Sequence, residues 1–460
     1  MNGTSHADAD DGLRPTSHET AGRTKISVLG CGYLGAVHAA CMTRLGHEVV
    51  GFDVDEDKIA ALASGKAPFY EPGLDDLLEE TLATGRLRFT HDPAELGGCT
   101  AHFVCVGTPQ KRGENAADLT FVNSAVDMLI PHLAPGAVVI GKSTVPVGTA
   151  ERLAEQISAE QPDVALVWNP EFLREGFAIE DTLSPDRLVY GLPSGPTAEN
   201  ARQVLDTIYA SLLDRKTPLV VTDLSTAQLV KVAANSFLAT KISFINAMAE
   251  FCEATNSDVV AIADAIGYDV RIGRKFLNAG LGFGGGCLPK DVRAFMARAG
   301  ELGVDQALTF LREVDSINMR RRVRMVDLAR EECGGSIVGR RIAVLGASFK
   351  PDSDDVRDSP ALSVAEQMRL QGADVVVTDP AALGNAAKKY PDLRYTDDVE
   401  SAVSGAELVL LLTEWKQYVA LQPAELKPLV AQARMLDGRN ALDPELWRNA
   451  GWTYRALGRP

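Results

Sequence analysis

The chain has 460 residues, 46% hydrophobic and 23% charged, with a formal net charge of −16 at pH 7. That length exceeds what a single hydrophobic core supports, so two or three domains are expected. The acidic balance argues against nucleic acid or an anionic membrane surface as a partner, and no apolar run is long enough to span a bilayer.

Residues 1–23 are polar, rich in Asp, Ser, Thr and His, and lack an apolar segment. They read as a disordered tail and not as a signal peptide. The seven cysteines are scattered, with no CxxC pair and no metal-like Cys/His spacing. Such a set fits reduced thiols in a cytoplasm, with no metal site expected.

Lys25-Ile-Ser-Val-Leu-Gly30 reads as a buried strand running into Gly30-Cys-Gly32-Tyr-Leu-Gly35 and then an Ala-rich helix from Ala36 to Leu45. A second strand, Glu48–Asp53, ends in an acid at roughly the 20-residue distance that the dinucleotide fingerprint requires. The glycines allow a pyrophosphate to approach the helix N-terminus. Asp53 would bind the adenosine ribose hydroxyls, which favours NAD over NADP, and Lys58 could flank the same ribose. A tight strand–helix turn without ligand is the plainer alternative. Three further strand-like runs, His102–Val106, Ala137–Ile140 and Val164–Trp168, end in loops carrying Thr108, Thr144, Glu171 and Glu175. In a doubly wound sheet such loops line the ligand crevice. Each alone reads more readily as a turn or cap residue.

From Ser225 the pattern is helical for a long way, with Ser225 and Gln228 spaced as a capping box. Lys231 and Asn235 are four apart and share one face. On an Ala-, Phe- and Ile-rich helix leaving a nucleotide domain, that face can wall a cleft; a solvated surface pair is the ordinary alternative. A second helical run, Asp258 to Ile266, stops at Gly267, a plausible C-cap.

The stretch Phe283-Gly-Gly-Gly-Cys287-Leu-Pro289-Lys290-Asp291 follows. Its glycines permit close backbone approach to a ligand, Pro289 suits the first helical turn, and Val292, Phe295 and Met296 continue with helical spacing. Cys287 is thereby expected at a helix N-terminus, a position that favours a thiolate and a nucleophile. The stretch alone leaves it open between that role and a small buried packing residue. Beyond Gly334-Gly335, strands at Arg341–Gly346, Asp374–Asp379 and Glu407–Leu412 repeat the first pattern without its GxGxxG, as a second, degenerate Rossmann-like unit.

Taken together, the chain from about Lys25 to Asn440 resembles the UDP-glucose 6-dehydrogenase family of nucleotide-sugar dehydrogenases. The motifs that carry the resemblance are GxGxxG at Gly30–Gly35, STVPVGT at Ser143–Thr149, NPEFLREG at Asn169–Gly176, KVAANSFLATKISFIN at Lys231–Asn246, RIGRKFL at Arg271–Leu277 and GFGGGCLPKD at Gly282–Asp291. FKPDSDDVRDSP at Phe349–Pro360 and LDGRN at Leu436–Asn440 complete them. Asn278 departs from some members, where a lysine can occur.

The resemblance implies an α/β fold. Behind the tail, residues 24–222 would form an NAD-binding Rossmann domain and 223–335 a central helical domain with a long connecting helix. Residues 336–460 would form a UDP-sugar-binding Rossmann-like domain. It implies two-step oxidation of UDP-glucose to UDP-glucuronate with NAD, and Cys287 as nucleophile. Lys231 would stabilise oxyanions and Asn235 would orient the reacting oxygen, while Asp291, Glu171 and Thr144 would position or deprotonate water. Contacts to NAD fall to Gly30, Gly32, Leu34, Gly35, Asp53, Lys58, Thr108, Thr144, Glu175, Lys290 and Arg357. Contacts to the sugar nucleotide fall to Glu171, Phe172, Leu173, Lys231, Asn235, Arg271, Phe276, Leu277, Gly284, Lys350 and Arg439. Arg271 matches a position that reaches a neighbouring subunit, which implies a homodimer or larger homo-oligomer. A 3-hydroxyacid or 6-phosphogluconate-type dehydrogenase would share the first domain and the Lys-xxx-Asn pair, but not the cysteine loop or the C-terminal unit. GDP-mannose or UDP-N-acetylmannosamine could replace UDP-glucose within the family. A catalytically dead sugar-nucleotide binder would need a lost catalytic residue, and none is lost.

Overall fold

Two sheets, one all parallel and one with a single antiparallel pair, flank a helical middle in the computed structural model of the chain, which describes residues 23–460. The disordered-tail expectation for residues 1–23 lies, Arg23 apart, outside the described residues. Strands β1 (Lys25–Leu29), β2 (Glu48–Phe52), β3 (Leu87–Thr90), β4 (Ala101–Val104), β5 (Val138–Gly141), β6 (Ala165–Trp168), β7 (Leu188–Leu192) and β8 (Leu219–Asp223) form the first sheet, in the order β3-β2-β1-β4-β5-β6-β7-β8. Its pairs are parallel except β6 with β7. The second sheet holds β9 (Arg341–Leu345), β10 (Asp374–Thr378), β11 (Arg394–Tyr395), β12 (Leu408–Leu411), β13 (Arg434–Asp437) and β14 (Thr453–Ala456). It runs β11-β10-β9-β12-β13-β14, all parallel. Both sheets therefore carry the dinucleotide-binding strand order, and each reverses beside its first strand, where ligands of such sheets bind. The buried runs of β4, β5, β6 and β12 have the continuous apolar character of strands covered on both faces.

The acid at the end of the second strand does the same work in both halves. Asp53 Oδ2 accepts the Cys31 N–H at 2.8 Å, and Asp379 Oδ2 accepts the Ala347 and Ser348 N–H groups at 2.7 and 2.9 Å. Each carboxylate ties down the loop that follows its sheet's first strand.

The 32-residue helix Leu224–Thr255 links the halves, spanning about 48 Å at 1.5 Å per residue. Its N-cap is Asp223, whose carboxylate accepts the Thr226 N–H at 2.7 Å. This corrects the capping box expected at Ser225 and Gln228. A charged acceptor one residue before the helix outcompetes the hydroxyl, and both those side chains bond Glu151 instead. Asn256, in the left-handed region at φ 55°, ends the helix. Gly267 also differs from expectation: it is the last residue of the helix Val259–Gly267 and not a left-handed cap beyond it. The helix Thr309–Glu332 packs along the long helix, where the fully buried Arg321 pairs with Glu250 and Glu253. Among the described residues no helix is long and apolar enough to cross a membrane.

Candidate active site

Cys287 is the N-cap of the helix Leu288–Glu301, with Pro289 in its first turn, as the sequence predicts. The glycines before it are needed because other chain segments lie against them. A Cβ on Gly284 would stand 2.4 Å from the Asp358 carbonyl oxygen, and one on Gly286 would stand 2.2 Å from Cζ of Arg357. The Gly285 N–H donates to the Arg357 carbonyl at 2.8 Å. Behind the loop, Asn318 takes the Phe283 N–H at 2.7 Å and donates to the Phe283 carbonyl at 3.0 Å. The thiol loop is thus held between the helix Thr309–Glu332 and the segment 349–360 that follows β9.

Four charged groups surround the thiol. Lys231 Nζ lies 2.9 Å from Glu171 Oε1, both side chains nearly buried. Asn235 Nδ2 donates to Asp291 Oδ2 at 2.6 Å, and Lys290 pairs with the other Asp291 oxygen. Lys290 Nζ also reaches Thr108 Oγ1 at 3.5 Å, and that hydroxyl donates to the Thr144 carbonyl at 2.7 Å. Thr108, Thr144, Lys290 and Asp291 line one cavity between the first sheet's loops and the thiol's helix. Glu171 Oε2 accepts the Leu173 N–H at 2.6 Å, and Phe172 lies under the Arg187 guanidinium.

Burial pushes the Lys231 ammonium down, but Glu171, Cys287 and Asp291 outweigh it and hold the group above its ordinary value. Burial pushes Glu171 up; Lys231 and the Leu173 N–H overcome that and keep it below the usual carboxylate range. Cys287 does not follow the thiolate expectation. The residue is exposed, yet protein crowds around its sulfur. That desolvation, aided by Asp291 and Glu171, pushes the thiol up to about 11 despite Lys231 and Lys290. It holds its proton at neutral pH and sits beside groups able to receive it.

The cofactor end is built at β1. Gly30 has φ 88° and lies against Val106, and a Cβ on Gly35 would overlap the Gly30 carbonyl. Gly32 alone faces open space, at the N-cap of the helix Tyr33–Arg44, as a pyrophosphate cradle requires. Leu34 packs on the first domain's core. Asp53 takes the Lys58 ammonium at 2.8 Å as well as the loop N–H. The observed cradle and acid fit a dinucleotide.

Glu175 bridges the two sheets' domains. It accepts from Arg357 Nη2 at 3.1 Å and Ser353 Oγ at 3.0 Å, while Lys350 donates to its carbonyl. Tyr33, inside the GxGxxG loop, donates to Asp354 beside them.

Other expected residues lie apart from this cluster. Arg271 has an 85% exposed side chain and pairs with Asp269. Leu277 is packed in an apolar cluster with Ile245, Ala249 and Val259, leaving its backbone as the part able to meet a ligand. Phe276 is partly exposed at φ 66°. The Arg439 guanidinium is occupied by the carbonyls of Leu412, Gly282 and Phe349 and by Glu414. Sequence reasoning missed Asp358, at φ 45°, which takes Arg322 at 2.8 Å and Arg293 at 3.4 Å and presents its carbonyl to Gly284. The one available signal was its place in the Phe349–Pro360 motif.

Family models match three consecutive stretches of the chain. They are the UDP-glucose/GDP-mannose dehydrogenase family NAD binding domain over residues 24–213, central domain over 225–320 and UDP binding domain over 343–444. The chain belongs to that family. It is 40% identical over 439 residues to the UDP-glucose 6-dehydrogenase of Rhizobium meliloti, covering 95% of this chain and 100% of that protein. It is 40% identical over 442 residues to the UDP-glucose 6-dehydrogenase TuaD of Bacillus subtilis, covering 95% and 93%. Its structure is similar to that of a UDP-glucose dehydrogenase from Pyrobaculum islandicum, with TM-score 0.87, 36% identity and coverage of 98% and 100%. A UDP-D-ManNAc dehydrogenase from Pyrococcus horikoshii aligns with TM-score 0.81 and 26% identity over 95% and 99% of the two chains. This family member is an NAD-dependent nucleotide-sugar dehydrogenase of α/β fold.

Proposed function

We propose that the enzyme oxidises the C6 hydroxyl of UDP-glucose to a carboxylate, giving UDP-glucuronate, through a covalent bond to Cys287. The observation that carries this reading is the meeting of one exposed cysteine with Lys231, Asn235, Asp291 and Glu171. A dehydrogenase making only a ketone or aldehyde needs no nucleophile there.

Gly30, Gly32, Leu34, Gly35, Asp53, Lys58, Thr108, Thr144, Glu175, Lys290 and Arg357 would hold NAD, which when bound would supply the hydride acceptor for each of the two oxidations at C6. In the first oxidation the hydroxyl also gives a proton to the carboxylate cluster, leaving an aldehyde. Cys287 Sγ then bonds to the aldehyde carbon while the thiol proton passes, by way of the neighbouring carboxylates, to the aldehyde oxygen. Lys231 neutralises the oxygen and Asn235 orients it, producing a thiohemiacetal. Loss of a second hydride from that carbon and a proton from its oxygen leaves a thioester. Water positioned by Thr144, Glu171 and Asp291 attacks; the C–O bond forms, the C–S bond breaks, and sulfur regains a proton. Phe172, Leu173, Phe276, Leu277, Gly284, Lys350 and Arg439 would form the sugar-nucleotide site, the last two holding or framing the UDP loop.

The test is the yield of NADH per sugar consumed across a panel of UDP and GDP sugars. Two NADH per UDP-glucose, with other sugars turned over poorly, is expected; one NADH per sugar overturns the two-step reading.

The enzyme further acts as a homodimer in a reducing cytoplasm. Phe237, Phe244 and Phe251 recur every seventh residue on one stripe of the long helix and are 68%, 48% and 68% exposed. Such a stripe is an unpaired helix seam, and Arg271, its side chain 85% exposed beside Asp269, would exchange that partner to reach across it. Light scattering that finds an active monomer at assay concentration would overturn this arrangement.

A further inference from the structure

A charge behind the cleft wall has no part in the steps above. Lys142 directly follows β5 and is 7% exposed. Its Nζ donates to Asn169 Oδ1 at 2.9 Å and lies 3.4 Å from Tyr209 Oη, whose O–H donates to the same Asn169 oxygen at 2.7 Å. The ammonium also lies 5.7 and 5.9 Å from the ring centres of Phe103 and Tyr209. Every one of these partners is neutral. A buried ammonium without a bonded carboxylate is expensive, and burial lowers this one to about 8, so it still carries its charge below neutral pH, where an acid limb is read.

The nearest use is Glu171, two residues beyond Asn169 across Pro170. Asn169 is itself pinned, its Nδ2 donating to the Val189 carbonyl at 2.9 Å. Lys231 pairs with Glu171 at 2.9 Å, and the Lys142 ammonium, bonded to Asn169 two residues before Glu171, adds a second, weaker attraction on the same carboxylate.

We propose that Lys142 is a positioning residue for the oxidation: fixed through the Asn169 amide, its ammonium supports the Glu171 carboxylate from behind while Lys231 serves the substrate oxygen. Without it, each time the Lys231 charge is drawn towards a developing oxyanion, Glu171 would be a buried carboxylate with no counter-charge. This rests on the reading of Glu171 and Lys231 given above.

The groups facing Glu171 are Lys231 from the long helix, Lys142 from the end of β5, Cys287 from its N-cap and Cys105 from the end of β4. Those facing Lys142 are Cys105, Glu171, Lys231 and His38. Burial pushes Cys105 up to about 12 and His38 well below its ordinary value, so both stay neutral at pH 7 and supply no competing charge.

The test uses Lys142→Gln, which can still donate to Asn169 but carries no charge, and Lys142→Arg, which keeps the charge. The carboxylate stretch lost in Glu171→Gln is followed by difference infrared against pH, beside the pH profile of kcat/KM. Lys142→Gln should raise the Glu171 titration and the acid limb by about one pH unit, with KM for UDP-glucose little changed. Lys142→Arg should restore both. A Lys142→Gln enzyme slower at every pH, with the carboxylate band unmoved, would reduce Lys142 to packing and overturn the proposal. A shifted band with an unshifted rate profile would uphold Lys142 and fault the assigned role of Glu171. If Lys142→Gln does not fold, the neutral Lys142→Met takes its place: the same upward shift of the Glu171 band and acid limb supports the proposal, and an unmoved band overturns it.

Discussion

Lys231 and Glu171 form an ion pair of 2.9 Å in the wall of the thiol's cleft, their side chains 6% and 13% exposed. Each holds the other charged against its own burial. In the proposed reaction the pair would keep a cation ready for the substrate oxygen without importing a counter-ion.

Removing one partner should therefore hurt twice. Lys231→Ala is expected to lower turnover by about 10²–10³-fold through loss of oxyanion stabilisation. It should also lower stability by about 3 kcal/mol by stranding Glu171. Adding Glu171→Gln should recover most of the stability and none of the rate. Urea unfolding of the single and double variants beside kcat checks both; full additivity in stability would contradict the pairing.

Cofactor choice is expected to rest on Asp53, whose carboxylate already binds the Cys31 N–H and Lys58. A 2′-phosphate would bring negative charge against it, so NAD should be strongly preferred over NADP. Asp53→Ser should narrow the preference and loosen the glycine loop. Equal kcat/KM with both cofactors in the unaltered enzyme would contradict this role.

The glycines before Cys287 separate into two kinds. At Gly284 an added methyl meets backbone, the Asp358 carbonyl at 2.4 Å; at Gly286 it meets the end of the Arg357 side chain at 2.2 Å. Gly284→Ala is expected to displace the loop from segment 349–360 and cut kcat by at least about tenfold, since a 1 Å misplacement can cost about 10²-fold. Gly286→Ala should chiefly displace Arg357 and raise KM for NAD. A harmless Gly284→Ala would mean that the two segments do not close together in turnover.

Much of this architecture was legible beforehand because it rests on local signals. Gly30, Gly32, Gly35 and Asp53 announce the first sheet's switch point, and Pro289 after Cys287 announces the helix that carries the thiol. What stayed hidden depends on partners distant in sequence. β8 lacks a buried run because it is an edge strand with Val220 and Val221 exposed. The helix Thr309–Glu332 buries Arg321 and Arg322 on its inner face, which masks its apolar stripe. Asp358 and Lys142 matter through Arg322, Gly284 and Asn169, contacts that no spacing rule reveals. The thiol was expected to ionise because the helix terminus is visible in sequence; the crowding that keeps it protonated is not.

Glu175 should give the enzyme a measurable pH dependence. Burial, with Asp355 next, pushes its carboxyl up to about 7 in spite of Arg357, Ser353 and Lys350. Its native value is above the unfolded one, so its contribution to stability is fully present below about pH 4.5 and lost as pH rises to about 7. Wild type should thus lose up to about 3 kcal/mol relative to Glu175→Gln across that window. Urea unfolding at pH 4.5 and 7.5 checks it; a difference independent of pH would contradict the assignment.

The covalent step is the centre of the account, and Cys287→Ser tests it most directly. A hydroxyl is scarcely ionised near neutral pH, and an ester is a poorer acyl carrier than a thioester in a site built around sulfur. Turnover of UDP-glucose by Cys287→Ser should fall by a factor on the order of 10³ or more, with NAD and UDP-glucose binding retained because the glycine loop is unchanged. Turnover close to wild type in the folded serine variant would contradict the mechanism and return Cys287 to a packing role.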